Sequence, residues 1–343
     1  ASDWSSDVCS SDLRKEKMMT SRDLLTKALA VMMALSAGTA LAAPKEGHQA
    51  SSGDEVVMTI VGDCTLGGYQ GQQGPGLFRE YFASRGGAYF TSQVRDLFAT
   101  DDITYVNLEG PLTRHPQVLQ KQFPIRGEPA HAQVLTAGSV ELVNLSNNHI
   151  YDCGDAGFKE TLEILRRSHV NYAGEGHIWR GTVKGVSFLV TGYRAWQDTP
   201  ELRARISRDL NAARADVKLV QFHWGEEGKY HHNATQQRLA HYAVEHGATM
   251  VIGAHPHVLQ DSEVYRGAPI FYSLGNFIFG ANKNPRDKDT AIIRAVFNRR
   301  GLVSWKAIPA RLSSQNSVND FCPTTRISAA ESASVLRKLA VKK

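Results

Sequence analysis

Apolar positions along the chain gather into short, β-branched runs separated by stretches with helical spacing. Val56 to Val61 is one such run and ends at Gly62-Asp63, and Ile103 to Leu108 ends at Glu109-Gly110-Pro111. Val140 to Leu145 leads into Ser146-Asn147-Asn148-His149, Val217 to Phe222 into His223-Trp224-Gly225, and Met250 to Ile252 into Gly253-Ala254-His255-Pro256-His257. Runs this short, closed by turn residues, predict buried strands. Between them, Phe90 to Phe98, Gly157 to Arg167 and Gln236 to Glu245 carry the helical period, with Phe158, Leu162 and Leu165 the clearest stripe. From Ser262 to Pro309 strand patterns follow one another without helices: Ile270 to Leu274, Thr290 to Phe297, Val303 to Ile308. After Leu312 the chain turns Ser-rich, and a short helix is predicted over Ala329 to Val341. Strands and helices in alternation predict an α/β fold with largely buried strands.

The chemistry lies at the strand ends. Five apolar runs each end in an Asp, Glu, Asn or His, and ligands of open α/β sheets gather at the carboxyl ends of strands. The candidates are Asp63, Glu109, Asn148 with His149, His223, and His255 with His257. Two carboxylates, a carboxamide and several imidazoles suit one or two divalent ions, with zinc, iron or manganese as the fitting metals. His255-Pro256-His257, read as an extended segment, points both imidazoles to one side, and Pro256 stiffens the spacing. The remaining histidines sit in polar or helical surroundings and read as surface or capping residues. His231-His232 is a weak further signal for the same cleft.

Composition narrows the class without changing this picture. The 343 residues are 42% hydrophobic and 21% charged, which excludes collagen, long disordered tails and multispanning membrane proteins. The formal charge of +5 is mild, and no Lys/Arg run or basic–aromatic stripe of a nucleic-acid binder is present. Residues 3–13 lack any apolar period and match one translation of a sequencing-library adapter, so 1–18 is expected to be a non-native leader; resequencing the locus checks it. Met19 to Lys27, the apolar run Ala28 to Leu35 and the exit Ala40-Leu41-Ala42 have the build of a secretory signal peptide over 19–42. That run is too short to span a bilayer, and no later stretch in the mature chain is long and apolar enough. An exported, periplasmic or extracytoplasmic protein follows, with a linker at 43–54, a domain at 55–311 and a C-terminal extension at 312–343.

Acidic and basic residues are equal in number, five each, within 1–42, so the mature charge is also +5. Cys9 falls in the leader, leaving Cys64, Cys153 and Cys322, an odd number that permits at most one disulfide. Cys64 and Cys153 flank site residues, and two small buried apolar residues is a better description of them than a bridge or a soft metal ligand. Gly67-Gly68 and Gly71 to Gly76 do not have the spacing of a dinucleotide-binding fingerprint, and no helix follows them at once.

Taken in order, Val-Gly62-Asp63, Asn107-Leu-Glu109-Gly-Pro-Leu, Leu-Ser-Asn147-Asn148-His149-Ile-Tyr-Asp152-Cys-Gly154, His223-Trp224-Gly225-Glu226, Gly253-Ala-His255-Pro-His257-Val-Leu-Gln260 and Tyr272-Ser273-Leu-Gly275-Asn276-Phe277-Ile-Phe279 resemble the motif series of the poly-γ-glutamate capsule-synthesis family (CapA type). That family is a branch of the calcineurin-like metallophosphatase superfamily. The resemblance implies a single-domain, four-layer α/β/β/α metallophosphatase-like sandwich. It implies Asp63 as a first-metal carboxylate completed by His257, Glu109 as the bridging carboxylate, Asn148, His223 and His255 on a second metal, and His149 as general acid. Two positions depart from the superfamily pattern: Thr65 stands where a histidine is usual, and the bridging residue is Glu109 after Leu108.

For such a site the expected function is metal-dependent hydrolysis, in the cell envelope, of an anionic polymer or peptide through a phosphoester or γ-glutamyl amide bond. Other capsule-synthesis or envelope proteins are the further partners. The alternative is a non-catalytic envelope protein that binds or guides such a polymer. Arg126 is the candidate for an anionic substrate group, since a guanidinium pairs carboxylate or phosphate with two parallel hydrogen bonds; a surface ion pair explains it equally well. Asn276 is a candidate for the substrate side or for supporting a ligand, with a turn residue after Gly275 nearly as good a description, and Glu226 and Glu227 orient His223, meet a basic substrate group or belong to a solvated loop.

Overall fold

The computed structural model describes residues 54–340 except 117 and 213. The expected leader, the signal peptide and nearly all of the linker lie outside these residues. The strands are β1 (Val56–Thr65), β2 (Gly68–Tyr69), β3 (Ile103–Leu108), β4 (Ile125–Arg126), β5 (Leu142–Asn144), β6 (Asn171–Ala173), β7 (Trp179–Val183) and β8 (Val186–Ala195). They continue with β9 (Val217–Trp224), β10 (Met250–Ala254), β11 (Ser262–Tyr265), β12 (Ala268–Phe271), β13 (Asn276–Phe279), β14 (Asp289–Asn298) and β15 (Gly301–Arg311). The α-helices are α1 (Phe78–Arg85), α2 (Arg95–Phe98), α3 (Ala132–Ala137), α4 (Gly154–Arg167), α5 (Pro200–Asn211), α6 (Ala234–Glu245) and α7 (Ala329–Lys338).

Period-two burial sorts these elements into layers. One sheet has the order β15-β14-β1-β3-β5-β6 with β13 also paired to β1, and the other the order β11-β12-β10-β9-β8-β7. Met58, Ile60, Tyr105 and Leu142 of the first share a buried cluster with Val190, Leu219 and Ile252 of the second. The alternate residues Val106 and Val143 cluster instead with Phe158, Leu162 and Leu165 of α4. On the far side, Val220 and Phe222 cluster with Ile206 and Leu210 of α5 and with Leu239 and Ala240 of α6. Helix, sheet, sheet, helix is the four-layer sandwich that the resemblance implied.

Several boundaries differ from the sequence expectation. β1 runs four residues past Val61 because both of its edges remain paired there: Asp63 is in register with Asn107 of β3 and with Asn276 of β13. The predicted helix over Phe90 to Phe98 is instead a 3-10 turn at Gly87–Thr91 followed by the single turn of α2. Its aromatic residues are spent on packing, Phe90 against Phe78 at 4.5 Å between ring centroids. α5 escapes notice in the sequence because it is mostly polar, with Ile206, Asp209 and Leu210 as its buried residues.

The C-terminal stretch is built into the same compact unit. A Ser328–Glu331 capping box starts α7, and its Val335, with Leu339 just beyond, joins the cluster between the sheets. Arg311 meets Glu331 at 2.7 Å, and Lys338 reaches Asp287 at 2.5 Å and Asp289 at 2.9 Å.

At Gly62, β1 and β13 come too close for any side chain: a Cβ there would lie 1.9 Å from the Gly275 carbonyl oxygen, which also accepts from the Asp63 N–H at 2.9 Å. Gly62→Ala is expected to cost about 3 kcal/mol by forcing the strands apart. Urea unfolding measures this, and a wild-type midpoint would count against the close approach.

Candidate metal centre

The alternation that builds the core also builds the site. The inward face of β9 reads Val217, Leu219, Gln221, His223; that of β3 reads Ile103, Tyr105, Asn107; that of β5 reads Leu142, Asn144. Each strand is apolar until its carboxyl end, where a polar residue takes the next inward place. His223 therefore belongs to β9, in register with Ala254 and Arg194, rather than to a loop after it.

Glu109 follows β3 and is fully buried. Its Oε1 lies 3.6 Å from His223 Nε2 and 3.8 Å from His257 Nε2. Asp63 Oδ2 is 3.4 Å from His257 Nδ1 and accepts from the His255 N–H at 3.2 Å. Asn148 Oδ1 sits 2.8 Å from His223 Nε2. Two donor groups are built around Glu109, Asp63–Glu109–His257 and Glu109–His223–His255, whose ligand atoms lie within 4.8 Å of one another inside each group. Glu109 is common to both, and neither contains Thr65.

Both Glu109 carboxylate oxygens and His255 Nδ1 are buried without a hydrogen-bond partner. Leaving such atoms unpaired costs about 1–3 kcal/mol each, more for a charged group, so a cation at this place fits the donors present. Electrostatics agree. Burial, with the neighbouring imidazoles, holds His223 well below the usual histidine range and His255 down to about 4, which leaves both imidazoles neutral at pH 7, the form that can bind a cation. Glu109 is pushed up by burial, against the pull of His257. Burial disfavours the charged form of His257, but the Glu109 and Asp63 carboxylates outweigh it and raise that group.

His255 and His257 have φ of 96° and 57°, a region that residues with a Cβ seldom enter. The segment is therefore a tight bend and not the extended strand expected from the sequence. Asn276 helps to hold it: its amide donates to the His257 carbonyl at 3.1 Å, and its Oδ1 lies 2.9 Å from His257 Nδ1. With the proton on Nδ1, Nε2 is left facing Glu109.

Several supporting residues escaped the sequence-based site. Asn144 donates to Asn107 at 2.8 Å, and Asn107 donates to Asp63 at 2.7 Å, a buried relay that fixes the carboxylate. Asn147 accepts from the His149 N–H at 3.1 Å, and Asp152 Oδ2 lies 2.7 Å from His149 Nδ1. Asp152 also accepts from the Ile125 N–H at 2.6 Å and meets Lys121 at 2.5 Å. Asn107 was foreshadowed by its place two residues before Glu109, whereas Asp152 reaches His149 only through a turn.

His149 and Asn148 line a cleft of about 710 Å³ together with His257, Asn276, Lys121 and Arg286. Arg126 lies in β4, pairs with Glu128 at 3.4 Å and lines a neighbouring groove instead. His231 and His232 turn to Asp261, at 3.7 and 2.8 Å. Cys64, Cys153 and Cys322 are free and buried, and burial pushes their thiols up, Cys153 to about 11. The Cys64–Cys153 bridge does not form, and among the described residues no cysteine joins a donor group.

Residues 57–281 match the family described as bacterial capsule synthesis protein PGA_cap. The PGA biosynthesis protein CapA of Bacillus subtilis (strain 168) is 28% identical over 282 residues, covering 75% of this chain and 72% of that protein. The capsule biosynthesis protein CapA of Bacillus anthracis is 27% identical over 288 residues, covering 76% and 68%. Among solved structures, a novel phosphatase from Mycoplasma pneumoniae shares the fold at TM-score 0.50 and 12% identity, over 78% of this chain and 95% of that one.

Proposed function

The chain belongs to the bacterial capsule-synthesis family PGA_cap, and from that membership and its donor groups we propose a metal-dependent hydrolase of the cell envelope acting on an anionic polymer or peptide. The observation that carries this is the buried Glu109, shared by two donor groups with no hydrogen-bond partner for either oxygen. Asp63, Glu109 and His257 would hold one divalent ion, and Glu109, His223 and His255, with Asn148 beside them, a second. Bound there, divalent ions supply Lewis acidity toward a phosphoryl or carbonyl oxygen and lower the pKa of water.

The chain's own groups do the rest. His149 faces the cleft and is oriented by Asp152, which suits it to deliver a proton to a leaving oxygen or nitrogen. Lys121, paired with Asp152, and Arg286 line the cleft together with the Glu227 and Asp287 carboxylates, and the two cations are the groups there that could meet an anionic substrate. Among the described residues no helix is long and apolar enough to cross a membrane, and the family's capsule-synthesis relatives support a place in the envelope.

The test is hydrolysis of an aryl phosphodiester and of γ-glutamyl peptides by the full chain, chelator-treated and then restored with manganese, iron or zinc. One substrate class is expected to turn over only after metal is restored. Metal binding and polymer retention without turnover of either would instead assign the chain to binding or guiding the polymer.

A further inference from the structure

The Asp63–Glu109–His257 group supplies three protein ligands and the Glu109–His223–His255 group three with the Asn148 amide oxygen beside them, while zinc takes four and manganese commonly six. The shortfall lies on the cleft side, because Asp63, Glu109 and His223 all rise from the buried floor. On that open side stands the turn after β9. Gly225 and Gly228 give it positive φ, 79° and 73°, and the Gly228 N–H donates to the Pro256 carbonyl at 2.8 Å. The bond fastens the turn to the His255-Pro256-His257 bend. Glu227, exposed and lining the cleft, thereby brings a carboxylate oxygen within 4.8 Å of ligand nitrogens of both His255 and His257. His255 Nδ1 is buried there without a partner.

We infer that Glu227 is a further metal ligand, closing the cleft side of the centre opposite the buried Glu109. It bears on both ions because His255 belongs to one donor group and His257 to the other. Glu226 does not share the role: it lines a separate pocket with His231 and Gln236. The inference rests on the proposed metal site, and the experiment separates the two.

Manganese titrated calorimetrically into the chelator-treated full chain reads affinity and stoichiometry without reference to activity. Wild type is expected to bind manganese. Glu227→Gln, at an exposed turn where the fold tolerates it, is expected to bind at least one ion about tenfold more weakly, and Glu226→Gln is expected to match wild type. Superimposable isotherms for wild type and Glu227→Gln would overturn the inference and leave the metal site standing. So would equal weakening by both variants, which would mark a general effect of negative charge. A wild-type chain that binds no manganese would remove the metal site and this ligand together.

Discussion

Glu109→Ala is expected to weaken the binding of both ions, because one carboxylate serves both groups built around it, while Glu227, His255 and His257 keep their places. Affinity for each ion should fall by more than about 100-fold, beyond the loss usual for a group that merely supports a ligand. Without metal the variant should be close to wild type in stability. The substitution lifts the cost of a buried carboxylate with no hydrogen-bond partner, which offsets the lost charge pairing with His257 at 3.8 Å. The two states therefore respond differently. Metal at 100 times its dissociation constant should stabilise wild type by about 2.7 kcal/mol and leave Glu109→Ala unmoved. Thermal melts with and without manganese read this directly, and an equal metal-induced rise in both proteins would show that Glu109 is not a ligand.

His149→Ala should separate chemistry from metal binding. His149 belongs to neither donor group, yet it faces the cleft beside Asn148 with Asp152 behind it. Turnover of whichever substrate class wild type hydrolyses is expected to fall by about 10²–10⁴-fold, the usual worth of a positioned proton donor. Metal content measured on the same preparation should be unchanged. Undiminished turnover would remove His149 from the reaction.

Much of the fold was legible before any coordinates. β3 begins and ends where the apolar run does, and the helical stripe of Phe158, Leu162 and Leu165 became α4 with three residues added at its start. The errors have a common cause. Residues past an apolar run, such as Gly62-Asp63 and His223-Trp224, stay in their strands because neighbouring strands pair with them, and pairing partners distant in sequence leave no local mark. α5 was missed for the related reason that one narrow apolar edge suffices where a sheet covers it.

At the site, the sequence by itself named the candidate donors. Strand ends bearing Asp63, Glu109, His223, His255 and His257 converge because parallel neighbours present their carboxyl ends to one edge of the sandwich. Tertiary structure decided the assignments among them. Only the pairing of β1, β3 and β5 sets Asn144, Asn107 and Asp63 in one relay. Only the positive-φ bend turns both imidazoles of the His255-Pro256-His257 segment toward the carboxylates. Arg126 and Glu227 show the same division: both are charges near motif residues, and strand pairing in β4 carries one into another groove while a backbone hydrogen bond to Pro256 holds the other's turn beside His255 and His257. Residue type states what chemistry a side chain can do, but whether it does it depends on a few ångströms set by backbone contacts between segments far apart in the chain.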